Sequence, residues 1–508
     1  MKKNPKPTAL KDNIKPDGKW RSAAEYVITF LAVFVIFVFC RGLNIKNNEQ
    51  LSFVIMLIAF GALAFYALWL YSRGKMTAEK VIGLVIAAGF ILRIGYMVYT
   101  HMFTRGHDLG TFSADVHKDW PGHLGYIYYI FQNNSLPDVN TYQLYHPPLY
   151  HISAALMVKF ASIFVGTSNM QAPFEFAQIV NCFVSCAMLL TVRNFISELD
   201  IDKKFLPWIM LVTAFSPTLI QMGGRLNNDM FATFFMLLCI VNTYRWYSKR
   251  DMKSIIYLAL SFGFGMMSKI SCGTMALFTG PVMLYVLYKD FKNKNVKNTI
   301  IQLAVFTVIC LPLGLWYPIR NLIMFNQPLT YVLEMKPSDY VYRGNLPKSE
   351  LFFSFSLPQL YTQPFVDIFK DNSVWMTLLR TSVFGEATFE KKEIAAGILN
   401  IVNLVISVGS LAAMVFVLIK GKKIRPRYRY GLFALWLIMM ASYIQFNYAY
   451  PAFCTAHFRY IPLTSLIGSI YIAYAMWLLS GKKYKNYIYI AFMICICLWC
   501  LLIGIIYA

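Results

Sequence analysis

From Leu51 to Tyr71 the chain runs without a single charged residue. A hydrocarbon core about 30 Å thick needs roughly 20 such residues, because a helix rises about 1.5 Å per residue. Comparable runs recur along the chain, the first over 26–40 and its flanks. Hydrophobic types make up 58% of the 508 residues and charged types only 14%, whereas a soluble domain is roughly a quarter charged. These features predict an all-α polytopic membrane protein, a bundle of about thirteen spans by hydropathy. The expected spans lie near 23–42, 50–72, 80–100, 174–196, 205–223, 230–247, 254–269, 271–288, 300–317, 395–420, 431–450, 461–480 and 486–507. The pair 254–269 and 271–288 is short and almost without a connecting loop.

The formal net charge is +23. It does not predict nucleic-acid binding, because no basic face interleaved with aromatics lies outside the spans. Instead the cations fall in alternate turns: Arg73, Lys75 and Lys80; Lys203 and Lys204; Lys249, Arg250 and Lys253; Lys289, Lys292, Lys294 and Lys297. The series continues with Lys420, Lys422, Lys423, Arg425, Arg427 and Arg429, then Lys482, Lys483 and Lys485. Cytoplasmic loops are enriched in Lys and Arg, so this series predicts one cytoplasmic face. The Lys-rich segment 1–22 has no cleavage site after the first apolar run, which predicts a retained anchor with a cytoplasmic N-terminus in the cell membrane. The organisation expected is a basic tail (1–22), three spans (23–100), an outer loop (101–173), spans four to nine (174–317), a second outer loop (318–394) and four last spans (395–508). Most cysteines sit inside apolar runs, as small apolar residues do; Cys497 and Cys500 form a C-x-x-C within the last span, without a second ligand pair.

The two outer loops are rich in Tyr, Phe, Trp, His and Pro, unlike disordered segments. Within the first, the stretch from His146 opens on Pro147 and Pro148 and continues as an apolar helix. It reads as interfacial, since an extra span there would invert every later basic turn. This loop holds six of the 7 histidines: His101, His107, His117, His123, His146 and His151. Asp108, Asp115, Asp119 and Asp138 accompany them. Asp108 follows the third span closely; a carboxylate at the lip of an apolar bundle suits a general base. Asp115 and Asp119 could share a divalent ion, and His107, His117 and His123 could hold zinc, but neither spacing fits a specific cage.

Further polar residues converge on the same side. Arg225, Asn227, Asn228 and Asp229 form the turn after the fifth span, where Asn228 and Asp229 fit a helix cap as well as a site. Lys269 lies between the two short spans, Arg320 and Asn321 at the end of the ninth, Glu386 before the tenth and Arg459 before the twelfth. An interfacial guanidinium can snorkel, while several converging cations suit an anionic headgroup, which Arg grips in a bidentate manner. No P-loop, dinucleotide fingerprint, H-E-x-x-H or G-x-S-x-G motif is present. A transporter or flippase for a lipid-linked or envelope precursor is the alternative reading. It predicts mid-span carboxylates and repeated halves, and the clear mid-span charge here is Arg93, with no repeat.

The order of motifs carries a resemblance. Arg105-Gly106-His107-Asp108-Leu109-Gly110-Thr111-Phe112 is followed by Gly122-His123-Leu124-Gly125-Tyr126 and Tyr145-His146-Pro147-Pro148-Leu149. Leu226-Asn227-Asn228-Asp229, Met267-Ser268-Lys269, Trp316-Tyr317-Pro318-Ile319-Arg320-Asn321 and Thr381-Ser382-Val383-Phe384-Gly385-Glu386 come next. In this order the chain resembles bacterial GT-C glycosyltransferases, the superfamily of dolichyl-phosphate-mannose protein mannosyltransferases and their phospholipid-carrier-dependent relatives. The resemblance implies transfer of a sugar from a polyprenyl-phosphate carrier to a lipid, glycan or protein acceptor on the outer leaflet. It implies Asp108 as general base; His107, Asp115 and His123 are the other catalytic candidates that the loop itself offers. It also implies Arg320 and Arg459, and less directly Lys269, on the carrier phosphate; His146, Arg225, Asp229 and Glu386 are further substrate- or phosphate-binding candidates among the converging residues. Many relatives carry an Asp-Glu pair where this chain has His107-Asp108. No nucleotide cofactor is expected, and a divalent metal is left open.

Overall fold

The protein is described here by a computed structural model covering residues 23–104, 108–117, 120–482 and 485–507. The basic tail 1–22, Arg105, Gly106, His107, Asp119 and Lys483 lie outside the described residues. The described chain is helical, with a lone antiparallel bridge between Tyr342 and Ala452. Three helices come first: α1 (Ala23–Gly42), α2 (Glu49–Ser72) and α3 (Ala78–Tyr99). The first long segment holds α4 (Gly122–Asn133) and α5 (Leu149–Val165). Next come α6 (Gln171–Phe174), α7 (Ala177–Ile196), α8 (Leu206–Ala214), α9 (Pro217–Gly224), α10 (Asp229–Lys249), α11 (Met252–Ser268), α12 (Ala276–Lys292) and α13 (Lys297–Phe325). The second long segment carries α14 (Lys348–Phe353), α15 (Leu357–Thr362) and α16 (Val374–Phe384). The chain then forms α17 (Glu393–Lys420), α18 (Pro426–Arg429), α19 (Gly431–Ala449), α20 (Leu463–Leu479) and α21 (Lys485–Tyr507).

Nine of these helical stretches are long and apolar enough to cross a membrane, and α8 with α9 makes a tenth if that bent pair is one span. The chain is thus a multi-pass membrane protein. The expected count of about thirteen is not reached by this measure. Helices α11 and α20 have only 17 residues each, about 26 Å of rise. Helix α10 is diluted by polar residues that pair inside the bundle: Asn242 donates to Ser261 Oγ (2.9 Å), and Thr243 shares a hydrogen bond with Thr279 (2.8 Å). Hydropathy scores such a helix as polar, although its polar atoms are satisfied by neighbours.

Burial separates centre from periphery. In the stretch Gln171–Ile196 83% of the most apolar window is buried, against 11% in α2. So α7 is the central post, packed by α1, α3, α5, α9 and α10, while α2 faces outward. Helix α5 is two-faced: His151, Ala154, Ala155, Val158 and Ala161 are buried, while Leu156, Phe160, Ile163 and Phe164 are exposed. The i, i+3, i+4, i+7 spacing of the buried set accounts for that stripe.

The fifth expected span is not continuous. Between α8 and α9 the chain bends by 48°, just before Pro217, which has no N–H to carry the ladder on. The break frees carbonyls in a place without water, and such groups need partners. Arg93 supplies them. Its side chain is fully buried and donates to Ala214 O (2.6 Å), Thr213 O (3.2 Å), Gly89 O (3.0 Å) and Ser185 Oγ (2.9 Å). Ser185 in turn donates to Leu219 O at 2.7 Å, on the far side of the break. The mid-span charge therefore has a structural use: it caps the end of α8 and couples that end to α9.

Replacing Arg93 by Met would leave the Thr213 and Ala214 carbonyls unpaired. We expect Arg93→Met to cost about 3 kcal/mol or more, read as a lower thermal midpoint in detergent. Arg93→Lys, which keeps a buried donor, should lose clearly less.

Candidate functional site

The site begins where α7 holds the end of α9. Gln178 donates to Gly224 O (2.8 Å), and Asn181 donates to Arg225 O (2.7 Å) and Asn227 O (2.8 Å). These amides are buried in an otherwise apolar helix, and they satisfy the carbonyls that α9 leaves at its C-terminus. The turn they fix delivers Asp229 to the start of α10. Asn227 Oδ1 accepts from the Asp229 amide (3.2 Å), while Asn228 donates to Ser268 O (3.0 Å). The capping reading of Asn228 and Asp229 is therefore corrected: neither caps through its side chain. Asn228 instead ties the turn to the end of α11, where Lys269 begins.

Asp108 is held by a second device. The first turn of α4 has amides with no partner inside the helix. The carbonyls of Asp108 and Leu109 take them, from His123 N (2.9 Å) and Leu124 N (2.8 Å). Loop and helix can approach this closely because they cross at two glycines. Gly110 (φ +73°) and Gly122 (φ +56°) are both left-handed; a Cβ on Gly110 would lie 2.3 Å from Gly122 N, and one on Gly122 2.3 Å from Leu109 O and 2.4 Å from Gly110 N. Asp108 itself has φ 51°, a conformation uncommon outside glycine and costly without support.

The charged side chains form one chain of pairs. Asp108 Oδ2 lies 3.4 Å from Arg459 Nη2, and Arg459 Nη1 lies 3.4 Å from Asp229 Oδ2. Asp229 Oδ1 is 2.6 Å from Lys269 Nζ. The Arg459, Asp229 and Lys269 side chains are 7%, 6% and 14% exposed, whereas Asp108 is 39% exposed. Asp108 is thus the member of the chain open to a ligand. Lys269 lies over the Tyr460 ring at 5.0 Å, and Arg459 donates to the Tyr460 hydroxyl at 3.2 Å. Burial works against the charge on Arg459, but Tyr460, Asp229, Asp108 and Glu386 outweigh it and keep the guanidinium charged. A buried, doubly paired Arg459 is not a snorkelling residue.

A second pair stands beside this chain: His457 Nε2 lies 3.2 Å from Glu386 Oε1. Arg225 donates to Gln221 Oε1 (2.9 Å), and Gln221 donates to Phe384 O (2.7 Å) and to the Tyr507 hydroxyl. The turn that carries Arg459 is pinned by the second long segment. Phe458 N donates to Thr381 Oγ1 (3.0 Å), and Arg343 N donates to Pro451 O (2.8 Å).

Three histidines stack behind Asp108. His123 and His146 are 5.9 Å apart at 7°, and His123 and His151 are 5.2 Å apart at 15°. His123 Nδ1 and His151 Nε2 share a hydrogen bond at 2.9 Å. Burial lowers His123 to about 4, despite the opposing pull of Asp108 and Asp229. Burial also holds His146 well below its ordinary value.

Of the residues predicted from sequence, the structure brings together Asp108, His123, His146, Asp229, Lys269 and Arg459, with Arg225 and Glu386 alongside. Others are placed elsewhere. Asp115 is exposed and accepts from the His117 amide at 3.1 Å. His117 pairs with the exposed Asp138 at 3.3 Å, so it and His123 have different partners. Among the described residues no three His, Cys, Asp or Glu side chains are gathered for a metal ion. Arg320 is not part of the charged chain: it donates to Pro137 O (2.6 Å) and lies over Tyr317 and Phe325. It lines an apolar groove with Leu311, Leu315, Trp316, Ile319 and Ile323. Its neighbour Tyr317 bonds Tyr126 (2.9 Å) and Leu144 O (2.6 Å), so this motif docks the first long segment onto α13. His151, Gln221 and His457 were missed as site residues; the one signal for His457 was its place two residues before Arg459.

Two outcomes follow from this geometry. Gly122→Ala would force a side chain against Leu109 and Gly110 at a left-handed φ, so the Asp108 loop can no longer dock; the thermal midpoint in detergent should fall by the equivalent of about 1–3 kcal/mol. The buried neutral histidines also set a pH dependence. Below about 6.5 an unfolded imidazole takes up a proton that folded His123 refuses until about 4. Stability is therefore full above pH 6.5 and falls as pH drops toward 4, by on the order of 3 kcal/mol for His123. Thermal midpoints in detergent measured from pH 7.5 to 4.5 should show this fall, reduced in His123→Gln.

No curated protein and no solved structure matches the chain. A family model does: residues 146–316 match dolichyl-phosphate-mannose-protein mannosyltransferase. The matched stretch contains His146, Arg225, Asp229 and Lys269, and leaves Asp108, Glu386 and Arg459 outside it. Over residues 146–316 the chain carries the pattern of that family, and the match implies a membrane glycosyltransferase of the GT-C type with a lipid-linked sugar donor and an acceptor.

Proposed function

We propose that this protein moves a sugar from a polyprenyl-phosphate carrier to an acceptor hydroxyl on the extracytoplasmic face of the cell membrane, with Asp108 as the general base. The observation that carries the reading is the chain Asp108–Arg459–Asp229–Lys269, whose accessible end is a carboxylate and whose buried part is cationic at two points. In the reaction Asp108 takes the proton of the acceptor hydroxyl. The acceptor oxygen then bonds the anomeric carbon, and the bond from that carbon to the phosphate oxygen breaks. The electron pair leaves with the lipid phosphate, which is already a leaving group, so no nucleotide is needed. Negative charge grows on the phosphate, and preorganised cations in a water-poor site stabilise it strongly.

Arg459 has a particular part in this. Asp108, Arg459, Asp229 and Lys269 carry two negative and two positive charges, so the chain is balanced before substrate arrives. An incoming phosphate competes with Asp108 for Arg459, because that contact is 3.4 Å long and its carboxylate is partly exposed. Asp229 is buried and also grips Lys269, so it keeps its hold. Asp108 is then released toward the acceptor. The face is inferred from charge: the site residues sit at the ends of α3, α9 and α11 and the starts of α10 and α20, opposite the helix ends that carry the basic turns. Segments 101–173 and 318–394 are accordingly the outer part of the enzyme, and the N-terminus is cytoplasmic.

The test is purified enzyme in detergent or proteoliposomes with a polyprenyl-phosphate sugar. Asp108→Asn should lower kcat by about 10²–10⁴-fold, the range for loss of a general base, without raising the donor KM, since the carboxylate that competes for Arg459 is gone. Wild-type rates in that variant would overturn the assignment. Arg459→Lys should raise the donor KM, because a single ammonium cannot span Asp229 and a phosphate as a guanidinium does.

A further inference from the structure

The proton between His123 and His151 can sit on one side only, and the surroundings decide which. If His123 Nδ1 carries it, then His151 accepts at Nε2 and, as a neutral ring, must carry its own proton on Nδ1. That atom is buried and has no hydrogen-bond partner, and an orphaned buried N–H is costly, by about 1–3 kcal/mol. If His151 Nε2 carries the proton instead, the unpaired His151 Nδ1 is a bare lone pair in an aromatic stack, 4.0 Å between the His151 and Tyr126 ring centres. His151 then strands no donor. The other side of the pair agrees. With its Nδ1 accepting, His123 bears its proton on Nε2, the nitrogen that points away from His151. The charges that act on His123 are Asp108 first, then Asp229, with Lys269 and Arg459 opposing. An N–H suits a neighbourhood led by a carboxylate better than a lone pair does.

We infer that His151 fixes His123 as the Nε2–H tautomer, and that His123 thereby offers a neutral hydrogen-bond donor to a phosphate oxygen of the sugar donor. The second half rests on the proposed transfer reaction; the first half does not. The phosphate is the fitting target. A donor aimed at the acceptor hydroxyl would draw on the lone pair that must attack carbon. A donor aimed at the phosphate gains strength as the leaving oxygen becomes negative. Neutrality matters as well. Lys269 and Arg459 already match the two carboxylates, and a charged His123 would add a fifth charge beside them. Burial of both rings keeps them neutral near pH 7. The role is also consistent with how His123 is fixed, since its own amide holds Asp108 O at 2.9 Å. One residue thus positions the base through its backbone and contacts the leaving group through its ring.

The tautomer is read directly from ring nitrogen shifts of histidine-labelled full-length protein in detergent at pH 7.5, with signals assigned by His123→Gln and His151→Gln. We expect His123 protonated at Nε2 and unprotonated at Nδ1. A His123 protonated at Nδ1 overturns the inference, whatever reaction the protein catalyses. Steady-state transfer tests the donor role. Gln places an N–H near the position of imidazole Nε2, whereas Asn reaches only as far as Nδ1. His123→Gln should keep kcat within about fivefold, and His123→Asn should lose about 10²-fold, the scale of one oxyanion donor. Equal loss in both variants overturns the donor role even with the tautomer as expected. His151→Leu should free His123 to populate both tautomers and lower kcat about three- to tenfold at unchanged donor KM. If wild-type protein transfers no sugar from any polyprenyl-phosphate donor, the transfer reading fails and the phosphate contact with it, while the nitrogen shifts still decide the tautomer.

Discussion

A guanidinium almost wholly out of water has to be neutralised where it lies, and Arg459 is neutralised from two directions. Asp108 reaches it from the loop after α3 and Asp229 from the start of α10, each at 3.4 Å. These residues are far apart in sequence, so the contact joins the beginning, middle and end of the chain. It also sets a condition on everything near it. Removing either carboxylate leaves a buried charge half compensated, a costly change in a low-dielectric surrounding. The supporting structure is arranged accordingly. Asn181 and Gln178 fix the turn that delivers Asp229, the glycine crossing fixes the loop that delivers Asp108, and Thr381 with Arg343 fixes the turn that delivers Arg459.

Arg93 is another buried guanidinium, and it is satisfied differently. Among the described residues no carboxylate partners it; its donors go to carbonyls and a serine. A helix end presents a partial negative charge, and an apolar bundle gives that charge no water to lean on. Arg93 meets the end of α8 and lets α9 leave at an angle. Without the break, α9 would not arrive with Gln221 and Arg225 pointed at the ends of α16 and α21. One cation therefore serves the shape of the bundle, and the other serves the balance of the site.

Much of this was legible in the sequence, and the reasons for the remainder are physical. The charge-free run 51–71 is a helix because a helix satisfies every backbone group within the segment in lipid, and it appears within α2. The break before Pro217 was not legible, since hydropathy is blind to a lost N–H when both sides stay apolar. Helix α10 defeats the same measure from the other side, because Asn242 and Thr243 look polar until their partners are known. The convergence of Asp108, Asp229, Lys269 and Arg459 was visible as a set of polar residues at matching helix ends. Their pairing was not visible, so Arg459 resembled a snorkelling residue and Asp229 a cap. Arg320 shows the limit of that logic. It shares the position and type of the others, yet its donors are spent on Pro137 and Asn321. His151 was visible only as one of the first loop's six histidines, because a histidine on the apolar face of a helix reads the same whether it is filler or a partner.

The division of the site between matched and unmatched stretches has a consequence. Residues 146–316 supply Asp229 and Lys269, the buried pair at 2.6 Å. Asp108 and Arg459 come from outside that stretch, and they form the longer and more open contact. The pair inside the match is therefore the more shielded from solvent, while the pair outside it is the more open to a ligand. A phosphate that binds Arg459 need not disturb the Asp229–Lys269 pair, because the guanidinium offers separate nitrogens to its two carboxylates. On the proposed reaction, the arrangement separates what stays charged and fixed from what exchanges partners. A lysine in place of Arg459 would put both tasks on one atom, and the geometry of a planar, forked cation is what keeps them apart.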